Sequence, residues 1–310
     1  MSTLAAEAAA TYEVIDRRFK GYVDPIAWLD RLHTGNRWAE GPVYFADLRC
    51  LIWSDIPNRR MLRMDEESGH ISLFRGGTGH ANGNTRDLQG RLLTCEQGAR
   101  RVIRTEWDGS ITTIADRYQG KRLNAPNDVV VKSDGTIWFS DPTYGIISDY
   151  VGDKAAQEID SCNVYRFDPR DGSLRVVVDD FSMPNGLAFA PDESILYIAD
   201  SGFLTDETAP HHVRSFRVLD DGRLGDSGVL ADINPGIPDG LRVDSSGTLW
   251  ISAGDGVQCF SPAGELLGKI RVPEAVANLT FGGPKRNRLF ITATSSVYSV
   301  YLNVCGAQRP

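Results

Sequence analysis

Six oxygen-bearing side chains recur through this sequence at nearly constant phase: Glu40, Asn82, Asn127, Asn185, Asp239 and Asn278. Each follows a small residue or proline and leads into a strand-like run. Met183-Pro184-Asn185-Gly186-Leu187-Ala188-Phe189, Pro238-Asp239-Gly240-Leu241 and Pro126-Asn127-Asp128-Val129 show the pattern most clearly. Ala39-Glu40-Gly41-Pro42, Ala81-Asn82-Gly83-Asn84 and Ala277-Asn278-Leu279-Thr280 are looser copies. Carboxylate and amide oxygens without imidazole or thiol suit a hard divalent cation such as Ca²⁺, Mg²⁺ or Mn²⁺. Glu40 and Asp239 offer negative charge, and Asn127 and Asn185 offer neutral carbonyl oxygens. Coordination positions then remain for water and a substrate oxygen, as a catalytic metal requires. Asn and Asp are common turn formers, so one copy says little. Six at matched phase, two of them acidic, carry the reading. Asn82 and Asn278 are its weakest members and are expected to shape the pocket.

The elements that must position this set also repeat. Each copy is followed by a second strand-like run, marked in turn by Trp53, Leu93, Trp138, Tyr197, Trp250 and Phe290, with separations of 40, 45, 59, 53 and 40 residues. A period of about 40–50 residues built of short strands is the sequence signature of a β-propeller blade. Third and fourth strands join through Ser68-Gly69, Asp108-Gly109, Asp171-Gly172, Asp221-Gly222 and Ala263-Gly264, which are hairpin signals. The expected fold is all-β, a six-bladed β-propeller with a central metal site, in one domain over residues 1–310 with residues 1–12 frayed. Blade six runs out of chain after its third strand, Val297 to Leu302. Its fourth strand is expected from Ala27-Trp28-Leu29-Asp30-Arg31-Leu32, which closes the ring and removes an exposed sheet edge.

The first strand of each propeller blade lines the central channel. The six special positions precede their marks by 13, 11, 11, 12, 11 and 12 residues, so they are expected at one height around one axis. Antiparallel pairing puts the end of each second strand on the same face, so Asp55, Glu96, Asp141 and Asp200 are expected to rim that mouth. The insertions Pro142 to Cys162 and Ser201 to Pro210 fall there too, and long loops on a functional face are candidates for substrate contact. Asp141, Tyr144, His80 and Asn82 are the expected substrate contacts, with Asn127 beside them. No GxSxG, HExxH, P-loop or dinucleotide-binding glycine pattern occurs, which disfavours serine, cysteine and nucleotide chemistry.

Composition narrows the class further. The chain has 310 residues and a net charge of −8, which disfavours a general nucleic-acid binder or a protein drawn to anionic membranes. No apolar stretch approaches the roughly 20 residues of a membrane-spanning helix. The small, acidic N-terminus does not read as a signal peptide. Five widely spaced cysteines without a CxxC pair are expected to be reduced and mostly buried, in a cytoplasmic protein.

Trp38-Ala39-Glu40-Gly41-Pro42-Val43, Ser54-Asp55, Pro126-Asn127-Asp128, Trp138-Phe139-Ser140-Asp141-Pro142, Pro184-Asn185-Gly186-Leu187 and Pro238-Asp239-Gly240 together resemble the regucalcin/gluconolactonase (senescence marker protein-like) family. The likeness runs from about Tyr12 onward. Lys121-Arg122-Leu123-Asn124 and Cys95-Glu96-Gln97-Gly98-Ala99-Arg100-Arg101 look closest to its bacterial gluconolactonases. The resemblance implies hydrolysis of a small sugar lactone to the aldonic acid with one divalent cation, Ca²⁺ first and Zn²⁺, Mg²⁺ or Mn²⁺ as alternatives. It implies Glu40, Asn185 and Asp239 as metal ligands, with Asn127 as a ligand or substrate contact. Animal members carry an arginine two residues before that asparagine. Here the position is Ala125, so that contact is missing. The expected chemistry is polarisation of the lactone carbonyl by the cation and attack by water, with Asp239 a ligand first and a base second, because a cation lowers a carboxylate's pKa. The alternatives are a calcium-dependent phosphotriesterase or arylesterase on the same site, and a non-catalytic metal-binding propeller.

Overall fold

Short runs of β-branched and aromatic residues, separated by tight turns, pair with their sequence neighbours into antiparallel sheets of four strands. The computed structural model describes residues 11–308. Blade one is Ala39–Phe45, Cys50–Asp55, Arg60–Asp65 and Ile71–Gly76. Blade two is Ala81–Arg86, Leu92–Glu96, Arg101–Thr105 and Ile111–Ala115. Blade three is Val129–Val131, Ile137–Asp141, Cys162–Asp168 and Ser173–Phe181. Blade four is Pro184–Phe189, Ile195–Asp200, His212–Val218 and Leu224–Asp232. Blade five is Leu241–Val243, Leu249–Ala253, Gly256–Phe260 and Leu266–Arg271. The glycines of the five expected hairpins have φ between +69° and +84°, the left-handed turn conformation that glycine adopts without strain.

Blade six, Val276–Gly282, Arg288–Ala293 and Ser296–Tyr301, takes its outer strand from the other end of the chain. Asp30–Thr34 pairs antiparallel with Ser296–Tyr301. The closing strand therefore starts three residues later than Ala27, and Trp28 stays exposed. The N-terminal segment does more than close the ring. Tyr12–Val14 adds a fifth strand to blade five, pairing with Gly268–Ile270. Residues 1–10 of the segment expected to fray lie outside the described residues. Thr11 is buried, and Tyr12 already belongs to a sheet.

Blades adhere through the apolar faces between them. Phe19 and Val23 of the N-terminal segment pack with Trp250, Leu267, Leu279 and Leu289 of blades five and six. Trp138 of blade three packs with Leu187, Leu196 and Ile198 of blade four. Burying each such side chain contributes about 1.5–3 kcal/mol. All five cysteines are free, and Cys50, Cys95 and Cys259 are buried. Among the described residues no helix is long and apolar enough to cross a membrane.

Candidate active site

The six special residues all sit at the mouth end of the innermost strands. In blades one, two, four and six the ladder is interrupted by a bulge at or next to the special residue: between Glu40 and Val43, Ala81 and Asn84, Pro184 and Leu187, and Val276 and Asn278. In blades three and five Asn127 and Asp239 lie just before the regular pairing begins, at Val129 and Leu241. Bulges re-aim side chains: Asn82 and Asn185 fall inside the gap in their ladders, and Glu40 and Asn278 are the paired residues that border it. Pairing also moves one register mark. Ile52, rather than Trp53, stands three residues before the acid at the end of blade one's second strand, which brings the offset from 13 to 12.

The glycine that follows four of these residues is explained by close approach between blades. A side chain at Gly83 would strike the backbone oxygen of Asn127, one at Gly186 that of Asp239, one at Gly41 that of Asn82, and one at Gly240 the amide of Asn278. Gly83 N–H donates to Asn127 O (2.8 Å) and Gly186 N–H to Asp239 O (3.0 Å). Of these four glycines only Gly41 has positive φ. The glycine of the repeat is therefore mostly a device that packs each innermost strand onto the next.

A second repeated device sits beneath. Asp55, Glu96, Asp141 and Asp200 are buried, and each accepts backbone N–H groups two or three residues before a special residue. Asp55 Oδ1 holds Arg37 N (2.9 Å), and Glu96 Oε1 holds Gly79 N (3.0 Å). Asp141 Oδ2 holds Asn124 N (2.8 Å). Asp200 holds Ser182 N and Met183 N (3.0 and 2.9 Å), and also Gly202 N (3.1 Å). In blade five Ser252 Oγ takes the role by accepting from Asp239 N at 2.7 Å. These acids position the ring rather than rim the mouth. In particular, Asp141 presents neither oxygen outward. Asp200→Ala strands three N–H groups and is expected to cost about 3 kcal/mol or more, read as a lower urea midpoint, with Asp200→Asn milder. An unchanged midpoint for Asp200→Ala would contradict this role.

Electrostatics at the ring are unbalanced. Glu40 Oε2 accepts from Gly41 N (2.6 Å) and from Asn278 Nδ2 (3.1 Å). The Glu40 and Asp239 carboxyls lie close enough to perturb each other directly, and Asn185 lies beside Asp239. Burial, with Asp128 adding repulsion, pushes Glu40 up to about 7. Burial and then Glu40 push Asp239 well above the ordinary carboxylate range. As a whole residue Asp239 is the one ring member that is half-buried rather than buried, although its carboxyl is desolvated. Two neighbouring carboxylates in a desolvated channel cannot both ionise without a cation or a shared proton. No arginine or lysine forms an ion pair with either among the described residues; Arg242 lies 3.6 Å from their neighbour Asp128. Asn82 Oδ1 is buried without a partner among the described residues. No three carboxylate, imidazole or thiol groups come together among the described residues. The donor set is two carboxylates and amides.

The blade-three insertion reaches across this mouth. Its short helix Tyr144–Ile147 buries Tyr144, whose hydroxyl points to Ser201 O (3.4 Å). Ser201 Oγ accepts from Asn185 Nδ2 (3.1 Å) and donates to Pro238 O (2.5 Å). Tyr144 is close enough to Asp239 that this carboxylate joins burial in raising the phenol's pKa. Beyond the helix, Tyr150 donates to Arg37 O (3.2 Å) on blade one. His80 is buried beneath the same insertion, with Nδ1 3.9 Å from Asp153, and burial lowers its pKa. Ser201, Asp128 and Arg242 were not singled out by the sequence. Asp128 had a signal, since it stands where four other copies carry glycine. Arg242 had one too, as a charge inside an innermost strand. Ser201 had none.

Fold and site together define a six-bladed propeller with a buried, acidic oxygen-donor ring at one channel mouth. The chain matches the SMP-30/Gluconolactonase/LRE-like family over residues 38–295, and it belongs to that family. It is 30% identical to a gluconolactonase of Zymomonas mobilis, over 87% of this chain and 80% of that one. It is 29% identical to a pentonolactonase of Haloferax volcanii, over 84% and 82%. The solved structure of a gluconolactonase from Xanthomonas campestris superposes with a TM-score of 0.88 at 37% identity, over 94% of each chain.

Proposed function

We propose that the protein hydrolyses a sugar lactone to its open-chain hydroxy acid at the Glu40–Asp239 mouth, with one divalent cation. The protein is a hydrolase of carboxylic ester bonds, and its gluconolactonase and pentonolactonase relatives support a small sugar lactone as substrate. The observation that carries the site is the desolvated carboxyl pair, Glu40 with Asp239, without an ion-pairing arginine or lysine among the described residues. Glu40, Asn185 and Asp239 would hold the cation, with Asn127 beside them. When bound it would supply positive charge beside the lactone carbonyl. Ca²⁺, Mg²⁺ and Mn²⁺ fit oxygen donors of this kind, and Zn²⁺, which favours imidazole and thiolate, fits them less well.

The chain's own part in the reaction is orientation and proton handling. Hydrolysis forms a bond from water oxygen to the carbonyl carbon and breaks the bond from that carbon to the ring oxygen. One proton passes from the water to the departing ring oxygen. Asp239 would be the carboxylate that holds that proton. Tyr144 and Asn82 would meet substrate hydroxyls, and Ala125 supplies no charged contact. Five free thiols fit a cytoplasmic location.

The titrations predict a pH trend for chelator-treated protein. Glu40 and Asp141 are each pushed up to about 7, Asp141 by burial, from ordinary values of 4.5 and 3.8. The folded state therefore keeps protons that the unfolded chain releases. This stability is complete below the unfolded values and is lost as pH rises through the folded ones. Melting temperature in EDTA is expected to fall between about pH 5 and pH 8. Added cation should restore the Glu40 part and leave the Asp141 part. A melting temperature that rises over that range would contradict the assignment.

The function itself is tested by a pH-indicator assay on gluconolactone, pentonolactones and paraoxon, with spontaneous opening subtracted. Turnover on lactones well above paraoxon is expected. Faster turnover of paraoxon would favour the phosphotriesterase reading, and no turnover of any would favour a binding protein.

A further inference from the structure

A cavity of about 350 Å³ lies not at the carboxylate ring but at the other end of the channel. Arg86, Val131, Phe189 and Val243 line it, and each is the last residue of an innermost strand: Ala81–Arg86, Val129–Val131, Pro184–Phe189 and Leu241–Val243. Its volume lies in the roughly 300–1,000 Å³ range of small-molecule sites.

Arg242 and Arg86 line it, and each keeps guanidinium nitrogens without a hydrogen-bond partner among the described residues. Arg242 is 5% exposed, and its Nε is buried with no partner among the described residues. Its Nη1 donates to Leu241 O (2.7 Å) and lies 3.6 Å from Asp128. Arg86 is held over the ring of Phe45 (4.8 Å) and by Asp47 (3.1 Å), yet its Nε and Nη1 are also buried and unpartnered among the described residues. The acids on the walls are already committed. Asp87 is taken by Arg91 (2.7 Å), Glu193 by Lys132 (3.1 Å) and Ser133 N (2.8 Å), and Asp192 by Ser194 N (3.0 Å). Both guanidinium charges have a carboxylate nearby, Asp128 and Asp47, but buried donor nitrogens left without acceptors are costly and mark a place where a further acceptor belongs.

We propose that this cavity is a second ligand site, separate from the carboxylate ring, that binds a small organic carboxylate. Its carboxylate accepts from Arg242 and Arg86, and its apolar body lies against Val131, Phe189 and Val243. A single carboxylate matches the guanidinium fork. Asp87, Asp192 and Glu193 around the wall disfavour the higher charge of phosphate.

The test is calorimetry on the full chain with benzoate as probe and inorganic phosphate as comparison. Benzoate is expected to bind saturably at one site and to raise the melting temperature, with phosphate weaker. Arg242→Lys and Arg86→Gln should each weaken benzoate by about tenfold or more. Asp239→Asn, at the opposite end, should leave it unchanged. If Arg242→Lys does not fold, Arg86→Gln still decides. Absence of saturable benzoate binding would overturn the proposal. So would phosphate binding as tightly as benzoate, or benzoate affinity that falls in Asp239→Asn and stays intact in both arginine variants.

Discussion

Glu40→Ala and Asp239→Ala are each expected to lower lactone kcat/KM on the order of 10³-fold and to lose the bound cation, while the protein still melts cooperatively. The size follows from what each carboxylate does. They are the two anionic donors in the ring, and the amides of Asn185 and Asn127 cannot balance a divalent charge. The fold should survive because both side chains point into the channel and away from the core between blades. Their burial as anions costs stability rather than supplying it, since desolvation raises both pKa values. Metal-free Glu40→Ala should therefore melt no lower than the metal-free parent. Asn82→Ala, which removes a neutral side chain, should lose much less activity. Equilibrium dialysis with elemental analysis reads the cation, and circular dichroism reads the melt. Retained cation with lost activity would make Glu40 a substrate contact instead.

Removing residues 1–33 should abolish the cooperative melt altogether. The deletion takes most of Asp30–Thr34, leaving Ser296–Tyr301 with an open edge. It also takes Tyr12–Val14 from blade five, and Phe19 and Val23 from the cluster around Trp250. Losing a fully buried phenylalanine alone costs about 3–5 kcal/mol, a large part of the about 5–15 kcal/mol that stabilises most domains. The ring would then lack both its closure and a share of its largest core. A truncated protein that keeps a native-like cooperative transition would show that the blades hold without the N-terminal segment.

The repeat made most of this architecture legible before any coordinates. Aromatic marks and Asp-Gly hairpins give blade number and strand order, because local pairing of neighbouring strands leaves little choice of topology. The chain ending after three strands of blade six pointed to the N-terminus, and Asp30–Thr34 fills that gap. The fifth strand of blade five was not legible, because Tyr12–Val14 is too short to show a period. At the site, phase alone placed Glu40, Asn185, Asp239 and Asn278 together. Phase could not give depth, so Asp141 read as a rim residue when its carboxylate is turned inward to hold Asn124 N. Nor could it tell turn glycines from packing glycines, since both follow an Asn or Asp. Gly186 and Gly240 are glycine because the neighbouring blade occupies the space of a side chain.

The measurement that bears most directly on the central claim is co-titration of cation and activity. Chelator-treated protein is loaded stepwise with Ca²⁺, Mg²⁺, Mn²⁺ or Zn²⁺, and gluconolactone hydrolysis and bound metal are followed together. Activity that is absent without metal and rises in proportion to one bound cation, in the parent but not in Glu40→Ala or Asp239→Ala, is the predicted result. Full hydrolysis by metal-free protein, or by metal-free Glu40→Ala, would contradict it.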